Sequence, residues 1–168
     1  SSVNDSLPEN IDLKKLIWAS VGNYPTNNLL KINQVTLKDL NLKNMPNFIG
    51  IDRALVCFAA LGMFKNKLNK NLLIVDLGTT VSITKIDNKG SILGGQLFPG
   101  FTTQLKSMGE STKNLFFPSK LFIPNNNFEI PTMNAMLRGV YNSITGAIYM
   151  AFDSTKDILI LCGGDANL

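Results

Sequence analysis

The chain has 168 residues, 45% of them hydrophobic and 17% charged, which suits one globular domain, or one full lobe with part of another, and excludes a disordered segment. With 16 basic against 12 acidic residues the net charge is +4, spread along the chain and without the aromatic-interleaved basic stripe of a nucleic-acid surface. Histidine is absent, so Ser-His-Asp and Cys-His catalysis and most zinc chemistry fall away, leaving acid–base work to Asp, Glu, Lys or Tyr.

Residues 13–21, an apolar run ending in small residues, predict a strand; a polar turn at 22–25 and a short helix follow. The alternation from Ile32 to Leu37 predicts a second short strand. Residues 51–64 are apolar almost all round, which predicts a helix buried on every side. The Lys65, Lys67 and Lys70 cluster after it reads as a solvated helix end or loop. Residues 72–98 read as three strands, the last two joined by Asp87-Asn88-Lys89-Gly90, a hairpin signal. The prolines and asparagines of 117–131 predict an irregular loop.

Residues 132–153 carry Met133, Met136, Leu137, Val140, Tyr141, Ile144 and Ile148 at i, i+3, i+4 spacing, a helix with Thr132 as its N-cap. Gly139 and Gly146 on it imply either an interface or a crowded core. Asp157 to Cys162 predicts a buried strand that delivers Gly163-Gly164-Asp165 at its carboxyl end. Cys57 and Cys162 sit in apolar runs without metal spacing and read as buried reduced thiols, pointing to a cytoplasmic location. The longest uncharged stretch, Gly139 to Phe152, is shorter than the ~20 residues a membrane span needs. The amino terminus has neither an initiator Met nor a signal pattern and reads like the middle of a longer protein.

Three groups carry chemistry. Asp76-Leu77-Gly78-Thr79-Thr80 ends a buried strand with a carboxylate that can hold a cation, a glycine that lets an anion approach, and two hydroxyls. An ordinary tight turn explains it equally well. Gly50-Ile51-Asp52-Arg53 opens the apolar helix: Asp52 suits the positive end of the helix dipole, whereas Arg53 there is unfavourable. An Asp–Arg pair at that mouth can serve a substrate, Arg53 holding an anionic group and Asp52 taking a hydroxyl proton. Gly94 to Gly100 and Gly163-Gly164-Asp165 mark tight corners.

The order of these motifs, GIDR, DLGTT with its hairpin, GGQLFPG, a Thr-initiated helix and CGGDA, resembles type III pantothenate kinase from about Trp18 to the end. The resemblance implies an α/β fold of ribonuclease-H-like, actin-like ATPase lobes (the acetate kinase/Hsp70/actin superfamily), shortened at both ends. Residues 1–50 would be the remainder of the first lobe, and 51–168 the linking helix and second lobe. It implies ATP-dependent phosphorylation of pantothenate to 4′-phosphopantothenate, with Mg2+, a monovalent cation (K+ or NH4+), a homodimer, and neither nucleic-acid nor membrane partners. Position by position, Gly50, Ile51, Asp52 and Arg53 would be the substrate motif, with Asp52 the general base and Arg53 on pantothenate. Asp76 would bind the cation, Thr79 the nucleotide and Thr132 the substrate. The family's Asp-x-Gly-Asn-Thr phosphate loop has no match, and Lys43 stands near the place of its substrate-side tyrosine. Two alternatives stand beside the kinase: a non-catalytic binding or accessory relative of the same fold, and another phosphate-handling member such as a phosphatase.

Overall fold

The computed structural model describes residues 17–21, 33–64 and 69–167. After a short 3-10 turn at Leu37–Asp39 the elements are α1 (Ile51–Phe64), β1 (Asn71–Leu77), β2 (Thr80–Ile86), β3 (Ile92–Pro99), α2 (Phe101–Ser111), α3 (Thr132–Ala151) and β4 (Asp157–Cys162). The strands make one sheet in the order β3-β2-β1-β4. β1–β2 and β2–β3 are antiparallel, whereas β4 returns through α2 and α3 to lie parallel to β1.

The uninterrupted apolar run Leu72 to Val75 exists because both faces of β1 are covered. Alternation sends Leu72 and Ile74, with Ile86 and Ile92, against Ala54, Cys57 and Leu61 of α1. Leu40, Leu42 and Ile49 join this core from the segment before α1. On the other face Leu73, Val75, Val81 and Ile83 meet Phe101 and Leu105 of α2 and Met136, Leu137, Val140 and Ile144 of α3. Leu105 and Leu137 have no exposed surface, and truncating either to Ala would cost about 2–5 kcal/mol.

The hairpin forms as the sequence predicts: Asp87 Oδ1 accepts the Lys89 and Ser91 N–H groups at 2.9 and 2.8 Å. The 117–131 segment is irregular, and the three strands of 72–98 stand where predicted. Helix α1 differs from expectation. Only the stripe Ala54, Cys57, Ala60 and Leu61 is buried, and Met63 on the outer face is 70% exposed, because a single sheet covers one side of it.

Residues 17–21 and 33–36 form no strand; Trp18 and Gln34 make one isolated parallel bridge, and Thr36 caps the 3-10 turn through Asp39. The rest of the expected first strand, the turn and short helix after it, and Lys65 and Lys67 lie outside the described residues. Lys70 donates to the Ser154 carbonyl at 2.9 Å. Pro131, not Thr132, is the N-cap of α3, and no side-chain cap bond is made. Gly139 and Gly146 are exposed with nothing packed against them, so the crowded-core reading fails. β4 is only partly buried, since it borders the sheet, and Cys162 is half-buried rather than buried. Among the described residues no helix is long and apolar enough to cross a membrane.

Candidate active site at the carboxyl ends of the parallel strands

β1 and β4 end on the same side of the sheet, with Asp76 opposite Cys162. Carboxyl ends of parallel strands are where open α/β sheets take ligands. Antiparallel register adds Ser82 and then Leu97, so Cys162, Asp76, Ser82 and Leu97 form one row on the α1 face. Leu97 is 62% exposed, which shows that α1 leaves this end of the row open.

The amino end of α1 enters beside that row. The Gly50 carbonyl accepts the Ala54 N–H at 3.1 Å and starts the helix. Asp52 is exposed, and its Oδ1 accepts the Arg53 backbone N–H at 2.7 Å. A Cβ at Gly50 would fall on that oxygen, so glycine leaves room for the carboxylate to fold back. One Asp52 oxygen thus complements the helix end, as the dipole argument requires. The other makes no hydrogen bond among the described residues and can take a proton.

Asp76 is half-buried. Burial first, and the Asp52 carboxylate second, push its carboxyl above the ordinary aspartate value, so the two acids share one field. Asp76 Oδ1 lies against Gly163, whose φ of 96° places it in the left-handed region. A Cβ there would collide with Asp76 and with the Leu77 backbone. Arg53 points away from the acids: its Nε donates to Thr84 Oγ1 on β2 at 2.6 Å. Its guanidinium lies over Gly95 on β3.

Thr79 sits in the turn between β1 and β2. Its carbonyl accepts the Gly100 N–H at 2.9 Å and the Thr103 hydroxyl at 2.7 Å, which ties this corner to the start of α2. Its own hydroxyl is exposed and has no partner among the described residues. Across the end of β1, the Asp165 N–H bonds the Leu77 carbonyl at 3.0 Å and folds the Gly-Gly-Asp turn back over the strand. Asp165 lines a cavity of about 160 Å³ with Tyr141, Thr145 and Leu161.

Structure therefore gathers Gly50, Ile51, Asp52, Arg53, Asp76 and Thr79 around one strand end. Thr132 is not joined to them. It is exposed at the start of α3, which packs on the opposite face of the sheet, and no hydrogen bond links it to the Gly50–Arg53 group. Lys43 lies elsewhere too. It bridges to Ser91 at the hairpin end of the sheet, the end that Leu61 in the last turn of α1 also approaches. Thr84 and Ser82 were not singled out in the sequence, and Gly95 only within the Gly94 to Gly100 corner. The two-residue period counted back from Asp76 through the β1–β2 turn puts Ser82 and Thr84 on its face, which was the available signal.

Asp76, whose carboxyl burial and then the Asp52 charge push up, is an oxygen donor of the kind a hard cation takes. Among the described residues no group of three or more His, Cys, Asp or Glu is placed to hold a metal.

A profile of the type III pantothenate kinase family matches residues 15–154, most of the chain. The chain belongs to that family. It is 26% identical over 159 residues to a type III pantothenate kinase of Bacteroides fragilis, covering 92% of this chain and 64% of the relative. With that of Synechococcus elongatus it shares 30% identity over 116 residues, 68% of this chain and 44% of the relative. A crystal structure described as a Baf family transcriptional activator from Campylobacter jejuni superposes with a TM-score of 0.61 at 25% identity. It covers 80% of this chain and 60% of that one. The chain thus spans less than two thirds of the relatives it matches.

Proposed function

We propose that this chain carries the substrate-activating part of a type III pantothenate kinase, transferring the ATP γ-phosphoryl group to the 4′-hydroxyl of pantothenate. The observation that supports this most is that Asp52 stands near enough to Asp76, at the carboxyl end of β1, for its charge to help push up the Asp76 carboxyl, while Thr84 holds Arg53 on the neighbouring strand. Asp52, through its unbonded oxygen, takes the proton of the attacking hydroxyl. The new O–P bond forms as the bond to the β-phosphate oxygen breaks, and ADP leaves with that electron pair. Arg53 holds the pantothenate carboxylate through its terminal nitrogens, a planar fork suited to that anion. Asp76 holds the monovalent cation, Thr79 donates its hydroxyl to the nucleotide, and Asp165 borders it from the other side of β1. Mg2+ arriving with ATP supplies neutralisation of charge on the phosphates. Such catalysis rests on positioning and charge stabilisation, which matches a site with no covalent nucleophile.

The sheet supports the expected lobe architecture: three antiparallel strands followed by a parallel fourth, with helices on both faces, is the start of a ribonuclease-H-like lobe. On this reading α1 is the linking helix and residues 51–168 the second lobe. The homodimer and the substrate role of Thr132 rest on the family resemblance, and the free thiols are in keeping with a cytoplasmic location.

The test is mass-spectrometric detection of 4′-phosphopantothenate after incubating the protein with pantothenate, MgATP and KCl. Product above a blank without enzyme supports the kinase. Pantothenate or nucleotide binding without product leaves a non-catalytic relative or a part of a longer kinase instead.

A further inference from the structure

We propose that Thr84 is a positioning residue for Arg53, holding its guanidinium in a seat formed by the Thr84 hydroxyl and the bare Cα of Gly95. The inference deepens the function proposed above and rests on Arg53 as the pantothenate anchor.

Three observations carry it. Thr84 is 1% exposed in the middle of β2, where burying a hydroxyl without a partner would be unfavourable. Its oxygen accepts Arg53 Nε–H at 2.6 Å, a charge-assisted bond. Gly95 pairs with Thr84 in the register of β2 and β3, and a Cβ there would overlap the Arg53 Nη2 atom and the Ile83 carbonyl. The arginine therefore crosses two strands in a slot that a threonine and a glycine define together.

The consequence is directional. An arginine has five donors in a rigid fork. Fixing Nε on the sheet leaves the terminal nitrogens without a protein acceptor among the described residues, free for an anion. The fork is also kept off Asp52 and Asp76, with which it makes no ion pair. Arg53 would otherwise neutralise the base and compete with a cation. Thr84 and Gly95 thus keep the cationic and anionic halves of the site apart.

The chain has only two arginines, Arg53 and Arg138, so their Nε–H signals in proton–nitrogen NMR are assignable with an Arg138→Lys variant. We expect the Arg53 Nε–H of the native protein to exchange slowly with solvent. Thr84→Val, close to isosteric, should abolish that protection, and Thr84→Ser should restore it. In the kinase assay Thr84→Val should raise KM for pantothenate about tenfold with kcat and KM for ATP nearly unchanged. Gly95→Ala should do the same. Rapid exchange of Arg53 Nε–H in the native protein, or unchanged protection in Thr84→Val, overturns the seat. A lost seat with an unchanged KM for pantothenate overturns its positioning role. Failure of the native protein to phosphorylate or bind pantothenate would instead refute the proposed function, while the exchange measurement still decides whether the seat exists.

Discussion

Asp52 in the first turn of α1 lies close enough to Asp76 at the end of β1 that the charge of the first, after burial, helps to lift the proton affinity of the second. Neither residue is close to the other in sequence. The helix antiparallel to β1 brings them together: its last turn lies near the β2–β3 hairpin and its first turn at the carboxyl end of β1.

That relationship predicts a cation effect on stability. A carboxyl whose pKa is raised on folding stabilises the native state below its ordinary value and loses that contribution as pH rises through the raised one. At neutral pH the ionised Asp76 is therefore a net cost, which a bound cation offsets. Asp76→Asn should raise Tm in cation-poor buffer at pH 7 and abolish any further rise with KCl. A variant whose Tm still climbs with KCl as the native protein's does would exclude Asp76 from cation binding.

Asp157 behaves in the opposite sense. Burial alone would push its carboxyl up. The Lys85 ammonium at 2.8 Å, the Asp153 N–H and the Asn71 amide together outweigh that and hold it below the ordinary value. A depressed pKa gives stability that is complete above the unfolded value and is lost as pH falls through the folded one. Asp157→Ala should cost about 2–4 kcal/mol at pH 7, because it leaves Lys85 unpaired against the sheet. Urea midpoints at pH 7 and pH 3 check both points: the gap between the variants should shrink at the lower pH.

Gly163 should tolerate no side chain. Its positive φ and the overlap of a Cβ with Asp76 and Leu77 make Gly163→Ala destabilising by about 2 kcal/mol or more, whereas Gly164→Ala has open space and should cost little. Denaturant midpoints of the two variants, measured side by side, separate these expectations.

Much of this was legible in the sequence, and the reasons for the rest are physical. The apolar run of β1, the Asp87–Gly90 hairpin and the apolar stripe of α3 from Met136 to Ile148 are local signals, and the structure keeps them. Helix α2 was not read from the sequence, although Phe101, Leu105 and Met108 recur at helical spacing. Burial of α1 was overestimated because apolar composition does not say how many sheets will cover a helix. Asp52, Arg53 and Asp76 were named from their motifs, whereas the partner of Arg53 was not named. Thr84 matters only through a β2 register and a helix placement that lie 31 residues apart in the chain.

Thiol chemistry offers an independent check on burial. Desolvation pushes Cys57 up to about 11, against smaller opposing effects of Arg53 and Thr84. Burial and then Asp76 also raise Cys162, which is half-buried. Both thiols should therefore resist iodoacetamide at pH 7.5 in the folded protein, with Cys162 modified first and Cys57 only on unfolding. Peptide mass mapping over a time course reads the order, and modification of Cys57 ahead of Cys162 would contradict the packing of α1 on the sheet.

The most direct measurement is the initial rate of 4′-phosphopantothenate formation by the native protein and by Asp52→Asn, with MgATP and KCl at pH 7.5. The native protein should form product, and the variant should be slower by about 10²–10⁴-fold at an unchanged Tm, the loss expected for removing a general base. A variant as fast as the native protein would remove Asp52 from the chemistry, and no product from either would refute kinase activity in this chain.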